Sequence, residues 1–591
     1  MKLTRSRIIP AIAFLCLLAG SLEIYDPVLP KVAGPILRAI EEKTQLPVTD
    51  WAEAITGQPV AKPAQPRGLV DAAMEKVLEN KQVEQAATAL ITLKHIQFEG
   101  VTILGDMELK GIVEPFLNTP MTYEQMLEIG MVVENYYRKN NYLARAILPP
   151  QDMTDGLLTV EVIESVFSKV EIEQELEDLP NTQGHVTALI EAQQKTGEPL
   201  NTKSLDRALA LANDIPGMSA QGSLRQGRDA GETELLLKLY QGRTRQAELN
   251  IDNAGSRSTG VIRLMATLNW FNPGDMADLL NVVAVHTRGS DYARLAYSVP
   301  VGTDGWRMGV NASAMNYEVV IGDQGMVGAV GRAVTQGMEW LYPLLRADDR
   351  SATVTLTADT KTFQNTSAQG LVMSDYAAKV LAAQVSGFYR DLNPGGGSGT
   401  YSIQLSHGNI NLDGSLSQQT DKNTVQTEGD FNKIRLNGTW QQAITTKTSA
   451  FVSYTGQLSD KNLDSSEKMQ LGGMNGVRAY PTGEGSGSDG QLIQLELRHQ
   501  LENGINLATF YDWGQVWLQH DPNYPGGPQH NLNTYKGFGA SIGYTTEDGV
   551  NIKATWARKV GNNPNPNPVN GNDMDGTRDR NRYWLQVSLP F

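Results

Sequence analysis

The feature that most constrains the fold is an alternation of apolar and polar side chains with a period of two, which recurs from about residue 242 to residue 591. It is clearest in Ile505–Trp517 and returns in Gln491–Leu501 and Val550–Arg558. Successive side chains of a β-strand point to opposite faces, so each segment predicts a strand with one apolar and one mostly polar face. In the first segment, the two faces are Ile505, Leu507, Thr509, Tyr511, Trp513 and Trp517 against Asn506, Ala508, Phe510, Asp512 and Gly514.

The N-terminus has the layout of a secretory signal peptide. Three basic residues precede an apolar run, Ile8–Ala19, which small residues follow and which is too short to span a membrane. We therefore predict a signal peptide over residues 1–21, the alternative being an uncleaved anchor. The one cysteine, Cys16, lies inside the run, and Leu15 stands where lipoprotein processing needs a small residue. We expect an exported mature chain without a thiol.

In an exported chain, about 350 residues of this alternation favour a transmembrane antiparallel β-barrel over a soluble sandwich, because lipid then covers the apolar face. At ~9–11 residues per spanning strand plus turns, the region accommodates roughly 16 strands. The 591 residues contain a single long apolar run, which excludes a bundle of transmembrane helices. The formal charge of −15 argues against a nucleic-acid partner.

Residues 95–241 carry a weak internal repeat of two α+β modules, 95–165 and 166–241, each with the order β-α-α-β-β. Together with the barrel over 242–591, they define the predicted fold class. The first copy has strands at His95–Glu99, Ala144–Leu148 and Leu157–Ile163 and helices at Asp106–Leu117 and Tyr123–Asn140. The second has strands at Phe167–Glu173, Met218–Leu224 and Glu232–Tyr240 and helices at Val186–Gln194 and Thr202–Asn213.

Residues 22–94 are predicted to be helical and linker-like. Pro35–Ile55 contains one amphipathic set of turns, and Gly57–Gly68 has three prolines, which is typical of a stiff, extended linker. Apolar residues at helical spacing between Val70 and Ile91 predict a second helix.

Motifs that would support catalysis fail on their context. Gly485–Gly490 matches GxGxxG, but the following segment alternates as a strand, whereas a dinucleotide site needs a helix there. Asp573–Gly576 resembles part of a calcium loop, but Gly571 and Arg582 then occupy two of its ligand positions. The seven histidines show no metal-ligand spacing. We therefore expect no enzyme activity, no metal and no cofactor.

Two segments inside the barrel region remain. Gly476–Pro481 begins a long glycine-rich connection, and Phe510–Gly514 lies on a later strand with Asp512 on the inward face. Arg478 reaches Asp512 only if the connection folds into the lumen, where losing one partner of a buried pair costs ~3–5 kcal/mol. The alternative is an external loop, with Asp512 facing water in the lumen.

These segments and the double module resemble the outer-membrane transporters of two-partner secretion, the haemolysin-activator and filamentous-haemagglutinin-transporter family of barrels with periplasmic POTRA domains. The resemblance covers nearly the whole mature chain. Val477-Arg478-Ala479-Tyr480 resembles the VRG[FY] loop motif, but Ala479 replaces the usual glycine, which matters if this position needs a positive φ. Phe510, Asp512 and Gly514 fit the FxDxG strand motif. Other similar segments are Ile147–Gln151 with Gly156, Asn213–Gly217, Asp252–Gly260 and the terminal Phe591.

The resemblance implies an outer-membrane transporter with periplasmic N-terminal modules that secretes one large β-helical exoprotein without ATP. It implies that the POTRA domains capture the unfolded partner at a sheet edge or an adjacent groove. The candidate capture residues are Leu148, Pro149, Pro150 and Gln151. The resemblance also favours an inward-folded connection at 476–490, an Arg478–Asp512 lock, and a pore plug at Pro35–Ile55, whose alternative is a periplasmic arm.

The implied partners are the exoprotein, outer-membrane lipid and the barrel assembly machinery, for which Phe591 is the expected signal. Two other functions stay open at this point. One is an insertase for outer-membrane proteins, although such relatives commonly carry more POTRA copies. The other is an outer-membrane barrel enzyme, which needs a catalytic cluster that the sequence does not show.

Overall fold

The computed structural model describes residues 90–174, 179–322, 326–393 and 395–591. The predicted signal peptide, the segment Pro35–Ile55 and the proline-rich linker lie outside the described residues. Within the described part, two small α+β modules precede a closed barrel of sixteen antiparallel strands. The predicted fold class is confirmed.

The first module contains two helices packed on a three-stranded sheet. Its elements are β1 (Ile91–Thr92), β2 (His95–Glu99), α1 (Asp106–Val113), a 3-10 turn (Glu114–Phe116), β3 (Pro120–Met121), α2 (Tyr123–Lys139), β4 (Ala144–Ile147) and β5 (Leu157–Glu164). The sheet order is β2-β5-β4, and β1 pairs with β3. Ile91 therefore lies in a strand, so the predicted helix does not extend to this residue.

Helix α2 forms because its sequence meets both helical requirements, a cap and an apolar face. Thr122 accepts from the backbone of Gln125 while the Gln125 side chain accepts from the backbone of Thr122, which is a capping box. The buried face repeats at helical spacing and consists of Met126, Ile129, Gly130, Val133 and Tyr137.

The second module repeats the plan. Its elements are β6 (Val166–Gln174), α3 (Pro180–Gln193), α4 (Thr202–Asn213), β7 (Met218–Gln226) and β8 (Glu232–Gln241), with the sheet order β6-β8-β7. Strands β6 and β8 are parallel, so the two helices form the crossover between them. Phe167, Val186, Leu205 and Leu237 belong to the buried core.

The barrel follows directly and closes when the last strand pairs with the first. Strands β10 to β19 and β22 to β26 follow in chain order around the wall, and β26 pairs with β9 through Gln586–Pro590. Bounds are β9 (Arg245–Asp252), β10 (Arg263–Phe271), β11 (Leu279–Thr287), β12 (Ser290–Val301), β13 (Trp306–Glu318), β14 (Val330–Arg346), β15 (Ser351–Thr366), β16 (Val372–Arg390), β17 (Gly397–Asn411), β18 (Gly429–Ala443), β19 (Thr448–Ser459), β20 (Met469–Gln470), β21 (Ser486–Gly487), β22 (Asp489–Gln500), β23 (Ile505–Trp517), β24 (Leu532–Thr545), β25 (Asn551–Lys559) and β26 (Asn581–Pro590).

The alternation read from the sequence corresponds to the two faces of the wall. On β23, Phe510 and Asp512 are buried inside the barrel, whereas Leu507 and Tyr511 are exposed on the outside. Apolar outward residues and polar inward residues are what a barrel surrounded by lipid requires. A short helix, α5 (Gln418–Asn423), lies in the connection between β17 and β18.

The connection between β19 and β22, residues 460–488, is the inward loop. It begins earlier than residue 476, because it includes a 3-10 turn (Ser465–Glu467) and the paired strands β20 and β21. Leu471, Val477 and Tyr480 are fully buried. The loop therefore fills part of the lumen instead of extending outward.

The second module docks on the barrel turns. Asp275, in the turn between β10 and β11, accepts hydrogen bonds from the backbone N–H groups of Asn181 and Thr182, both at 3.0 Å, at the start of α3. A carboxylate at a helix N-terminus satisfies N–H groups that have no partner within the helix. Arg346 at the end of β14 binds Asp214 with both Nε and Nη2, at 2.8 Å each.

The last residue, Phe591, continues the pairing of β26 with the first barrel strand. Its N–H donates to the carbonyl oxygen of Ala247 at 2.8 Å, and its side chain is exposed. Its role as an assembly signal stays a prediction.

Glu164, at the end of β5, ties together distant parts of the first module. Its carboxylate accepts from the Thr102 N–H at 2.9 Å, the Ile103 N–H at 2.8 Å and the Tyr137 hydroxyl at 2.7 Å. Burial opposes ionisation, but the hydrogen bonds from Thr102, Tyr137 and Ile103 outweigh it and hold the pKa of Glu164 below its ordinary value.

Glu164→Gln is expected to reduce the protection of the Thr102 and Ile103 amides against hydrogen exchange in the full chain. The pKa of Glu164 is depressed in the folded state. The advantage of the parent over the variant in amide protection is therefore fully present above the ordinary pKa of 4.5. It disappears as the pH falls through the lower folded pKa. An advantage that persists unchanged to acid pH would show that the charge of Glu164 is not its source.

Candidate functional site

The tip of the inward loop is joined to the barrel wall by Arg478. Its backbone N–H and its Nε donate to Asp512 Oδ2 at 3.0 and 2.9 Å, and its Nη2 donates to Asp512 Oδ1 at 2.6 Å. We call these contacts between Arg478 and Asp512 the lock. The geometry is bidentate, which is the strong form of arginine–carboxylate pairing. The structure thus brings together the two residues that the sequence paired.

Two further wall residues complete the surroundings of Arg478. Glu496 on β22 accepts from Nη1 at 2.6 Å. The centroid of the Phe510 ring lies 3.4 Å from the guanidinium carbon of Arg478. Sequence reasoning did not assign Glu496 to the site. A signal was present, because Glu496 has inward parity on the strand next to β23 and is paired in register with Phe510.

The lock is buried on both sides. The side chain of Arg478 is 5% exposed and that of Asp512 is 0% exposed. Removing one partner of such a pair leaves an uncompensated charge, which costs about 3–5 kcal/mol when the site is fully desolvated. Glu496 supplies a second counter-charge, so the loop tip is held by one cation between two carboxylates.

The neighbours of Arg478 in the loop pack against the wall. Val477 and Tyr480 belong to a buried apolar cluster, in which the Tyr480 ring meets the Tyr535 ring edge-on with centroids 4.9 Å apart. Trp584 on β26 donates through Nε1 to the Arg478 carbonyl oxygen at 2.8 Å. The third motif residue, Gly514, faces Val477, because a Cβ built on it would lie 3.0 Å from a Val477 methyl carbon.

Ala479 fits the loop without strain. The φ angle of Ala479 is not positive, so the backbone at this position does not require glycine. Its side chain is fully buried against β24, where a Cβ added to Gly537 would lie 2.5 Å from the Ala479 Cβ. The Ala479 methyl group therefore packs directly on Gly537, where the wall has no side chain.

The four candidate capture residues lie beside β4 and β5 in the first module. Gln151 uses its side-chain amide on the backbone of Thr159, accepting from its N–H at 2.6 Å and donating to its carbonyl oxygen at 2.7 Å. Leu148 packs against the module core, and Pro150 is exposed whereas Pro149 is half-buried. The structure places these four side chains at one end of the sheet and does not test their contact with a partner.

Two kinds of feature are absent from the described ranges. There, no group of three or more His, Cys, Asp or Glu side chains is arranged to hold a metal ion. In the same ranges, no helix is long and apolar enough to cross a membrane.

A sixteen-strand barrel with an arginine-locked inward loop and two β-α-α-β-β modules defines a class, the outer-membrane barrels with periplasmic POTRA domains. The model of the family described as haemolysin secretion/activation protein ShlB/FhaC/HecB matches residues 231–545, and that of the ShlB-type POTRA domain matches residues 91–165. The chain belongs to the ShlB/FhaC/HecB family. It is an outer-membrane transporter of two-partner secretion, with its N-terminal modules in the periplasm, and its family consists of transporters.

Individual relatives agree with this assignment. The chain is 24% identical over 491 residues to the heme/hemopexin transporter protein HuxB of Haemophilus influenzae, covering 82% of this chain and 84% of the relative. It is 24% identical over 423 residues to the outer membrane transporter CdiB of Dickeya dadantii, covering 69% and 72%. The solved structure of CdiB from Escherichia coli superposes with a TM-score of 0.66 at 19% identity, covering 88% of this chain and 98% of that one.

Gly537→Ala is expected to displace the tip of the inward loop, because the new Cβ would overlap the Ala479 methyl group. Overpacking of this kind costs about 1–3 kcal/mol. Gly543→Ala is the matched control, since it lies on the same strand and face and its nearest atom would be 3.8 Å away. Protection of the inward-loop amides against hydrogen exchange should fall only in Gly537→Ala. Equal protection in both variants would contradict the packing argument.

Proposed function

We propose that this chain secretes one cognate β-helical exoprotein, captured unfolded in the periplasm and passed through the barrel without ATP, and that it catalyses no reaction. The observation that carries the proposal is the lock, in which ion pairs hold the tip of the inward loop to the wall inside the closed barrel. A chain in transit needs a conduit, and the loop is the described segment that occupies it. The names of two relatives describe transport. HuxB is called a heme/hemopexin transporter protein, and CdiB is called an outer membrane transporter.

The wall beside the loop supports passage of an extended polypeptide. Lys361 on β15 faces the lumen, since it binds a loop residue, and its register partners share that face. These partners are Thr335 on β14 and, one strand further, Ser313 on β13. The hydroxyl groups of Thr335 and Ser313 offer weak, exchangeable hydrogen bonds to a passing backbone, between the charged side chains of Lys361 and of Arg294, the register partner of Ser313 on β12.

We propose that secretion requires the lock to open. While Arg478 is bound to Asp512 and Glu496, the loop tip lies across the lumen. When the tip moves away, the inward face of β23 and its neighbours is released to line the conduit. Folding of the partner outside then biases net movement outward, because a folded β-helix is too wide to return.

The proposed capture uses the sheet edges and grooves of the two modules. The candidate capture residues in the first module are Leu148, Pro149, Pro150 and Gln151. In the first module, the edge strand β4 is partly occupied, because Glu134 accepts from the Ala146 N–H at 3.0 Å. In the second, the Asn213 amide bonds both the N–H and the carbonyl oxygen of Ala220 on the edge strand β7, at 2.9 and 2.8 Å. Capture by strand addition would therefore begin beyond these two residues.

We further propose that outer-membrane lipid covers the apolar outward face, and that the barrel assembly machinery inserts the chain through the strand that ends before Phe591. Support for the first comes from exposed Leu381, Leu405 and Leu495 on the outside of the wall. Support for the second is the backbone pairing of Phe591 with the first barrel strand.

Arg478→Ala and Asp512→Asn are each expected to reduce secretion of the cognate exoprotein, because either change breaks the buried pair that returns the loop tip to one closed position after transit. The double variant should be no worse than the more severe single variant, since residues in one interaction do not add. The measurement is exoprotein in the culture medium against total outer-membrane protein. Fully additive losses would exclude a shared lock.

Lys447→Ala is the control for that experiment. Lys447 pairs with Glu502, but the two side chains are 55% and 84% exposed, so the pair contributes little. Secretion should be unchanged. A general fall in outer-membrane proteins in the lock variants would favour a role in membrane-protein assembly instead.

The proposed plug, Pro35–Ile55, lies outside the described residues and rests on the family resemblance. Replacing residues 35–55 with a glycine–serine segment of equal length keeps the tether and removes the amphipathic pattern. The expected result is larger or longer-lived conductance in planar bilayers. Unchanged currents would leave these residues as a periplasmic arm.

A further inference from the structure

A second ion cluster holds the inward loop at a place distant from the lock. Glu467, in the 3-10 turn of the loop, binds Lys361 on β15 through Oε1 at 2.7 Å and Lys433 on β18 through Oε2 at 2.5 Å. The Glu467 side chain is 3% exposed and that of Lys433 is 8% exposed. One carboxylate thus joins two wall strands that are three positions apart in the barrel.

The backbone of the same turn is also fixed. The Glu467 carbonyl oxygen accepts from Lys433 Nζ at 3.2 Å and from Gln457 Nε2 at 3.0 Å. Asp464 caps the turn through the Ser466 N–H at 2.9 Å and accepts from the Tyr376 hydroxyl on β16 at 3.1 Å. The turn is therefore attached to the wall by both its side chains and its main chain.

The two attachments use different residues and different parts of the wall. Glu467 binds β15 and β18, whereas Arg478 binds β22 and β23, which are two and three positions beyond β18. Between them, β20 pairs with β21 and joins the two legs of the loop, leaving residues 471–485 as its tip. Opening the lock releases the Arg478 side chain from the wall and leaves the Glu467 contacts intact, and the apolar packing of Val477 and Tyr480 has to separate before the tip moves.

We propose that Glu467, with Lys361 and Lys433, is a second anchor about which the inward loop pivots when the lock opens. Glu467 is a positioning residue, because it keeps the displaced tip tethered inside the barrel. Arg478 can therefore return to Asp512 and Glu496 after transit. The inference rests on the proposed opening of the lock and goes beyond it by fixing the point that does not move. Full departure of the loop then requires the loss of the Glu467 cluster in addition to the opening of the lock.

The test is conductance of the purified full chain in planar bilayers, for Glu467→Gln, Arg478→Ala and the double variant. In the Arg478→Ala background, the Glu467 cluster is the ion-pair anchor of the loop that remains among the described residues. Adding Glu467→Gln should lengthen open states by at least about tenfold, since it removes the counter-charge of two wall lysines. With the lock intact, Glu467→Gln alone should lengthen them far less.

Lys433→Gln separates anchoring from pore charge. It breaks the same cluster but changes the charge of the lumen in the opposite sense. In the Arg478→Ala background, both Lys433→Gln and Glu467→Gln should lengthen open states if the cluster anchors the loop. Opposite effects of the two variants would assign the result to pore charge and overturn the proposal.

Limited trypsin digestion gives an independent readout at Lys468, which follows Glu467. Cleavage there should be fastest in the double variant, while the folded barrel keeps its anomalous migration on unheated gels. Equal conductance and equal cleavage in Arg478→Ala with and without Glu467→Gln would overturn the second anchor. That result would leave the proposed function standing, whereas normal secretion by Arg478→Ala would count against the lock itself.

Discussion

The constraint on which the structure depends is that backbone N–H and C=O groups inside a membrane must find partners within the protein. The chain meets it by closing sixteen strands on themselves, so the wall leaves no free strand edge facing lipid. Closure also creates a lumen inside the wall. The inward loop lies in this lumen, where two ion clusters and the buried apolar packing of Leu471, Val477 and Tyr480 hold it to the wall.

The electrostatics of the lumen distinguish the closed arrangement from a simple plug of apolar packing. Arg478 has two carboxylates, and Glu467 has two lysines, so each attachment pairs one loop charge with two wall charges. Charges buried in this way are costly when separated and gain little over an apolar substitute when paired. Such contacts specify one position of the loop more than they add to stability, which suits the movement proposed for this segment.

The sequence predicted the parts of the fold that depend on periodicity. Alternation placed Asp512 on the inward face of its strand, and helical spacing with the Thr122 cap located α2 within one residue. It did not predict the second attachment, because Glu467 lies in a short turn whose partners are more than 30 residues away along the chain. Spacing alone also left open whether Arg478 lies inside or outside, and only the family motif favoured the lumen.

The docking of the second module has a mechanical consequence. Strand β9 continues directly from this module, and Asp275 in the turn between β10 and β11 is bonded to the start of α3. Strand β9 also carries the closing seam with β26, which has five paired positions, fewer than the eight between β9 and β10. A tensile load applied to the periplasmic modules by a bound chain is therefore delivered to β9, one of the two strands of this short closing joint, and to the turn that follows β10.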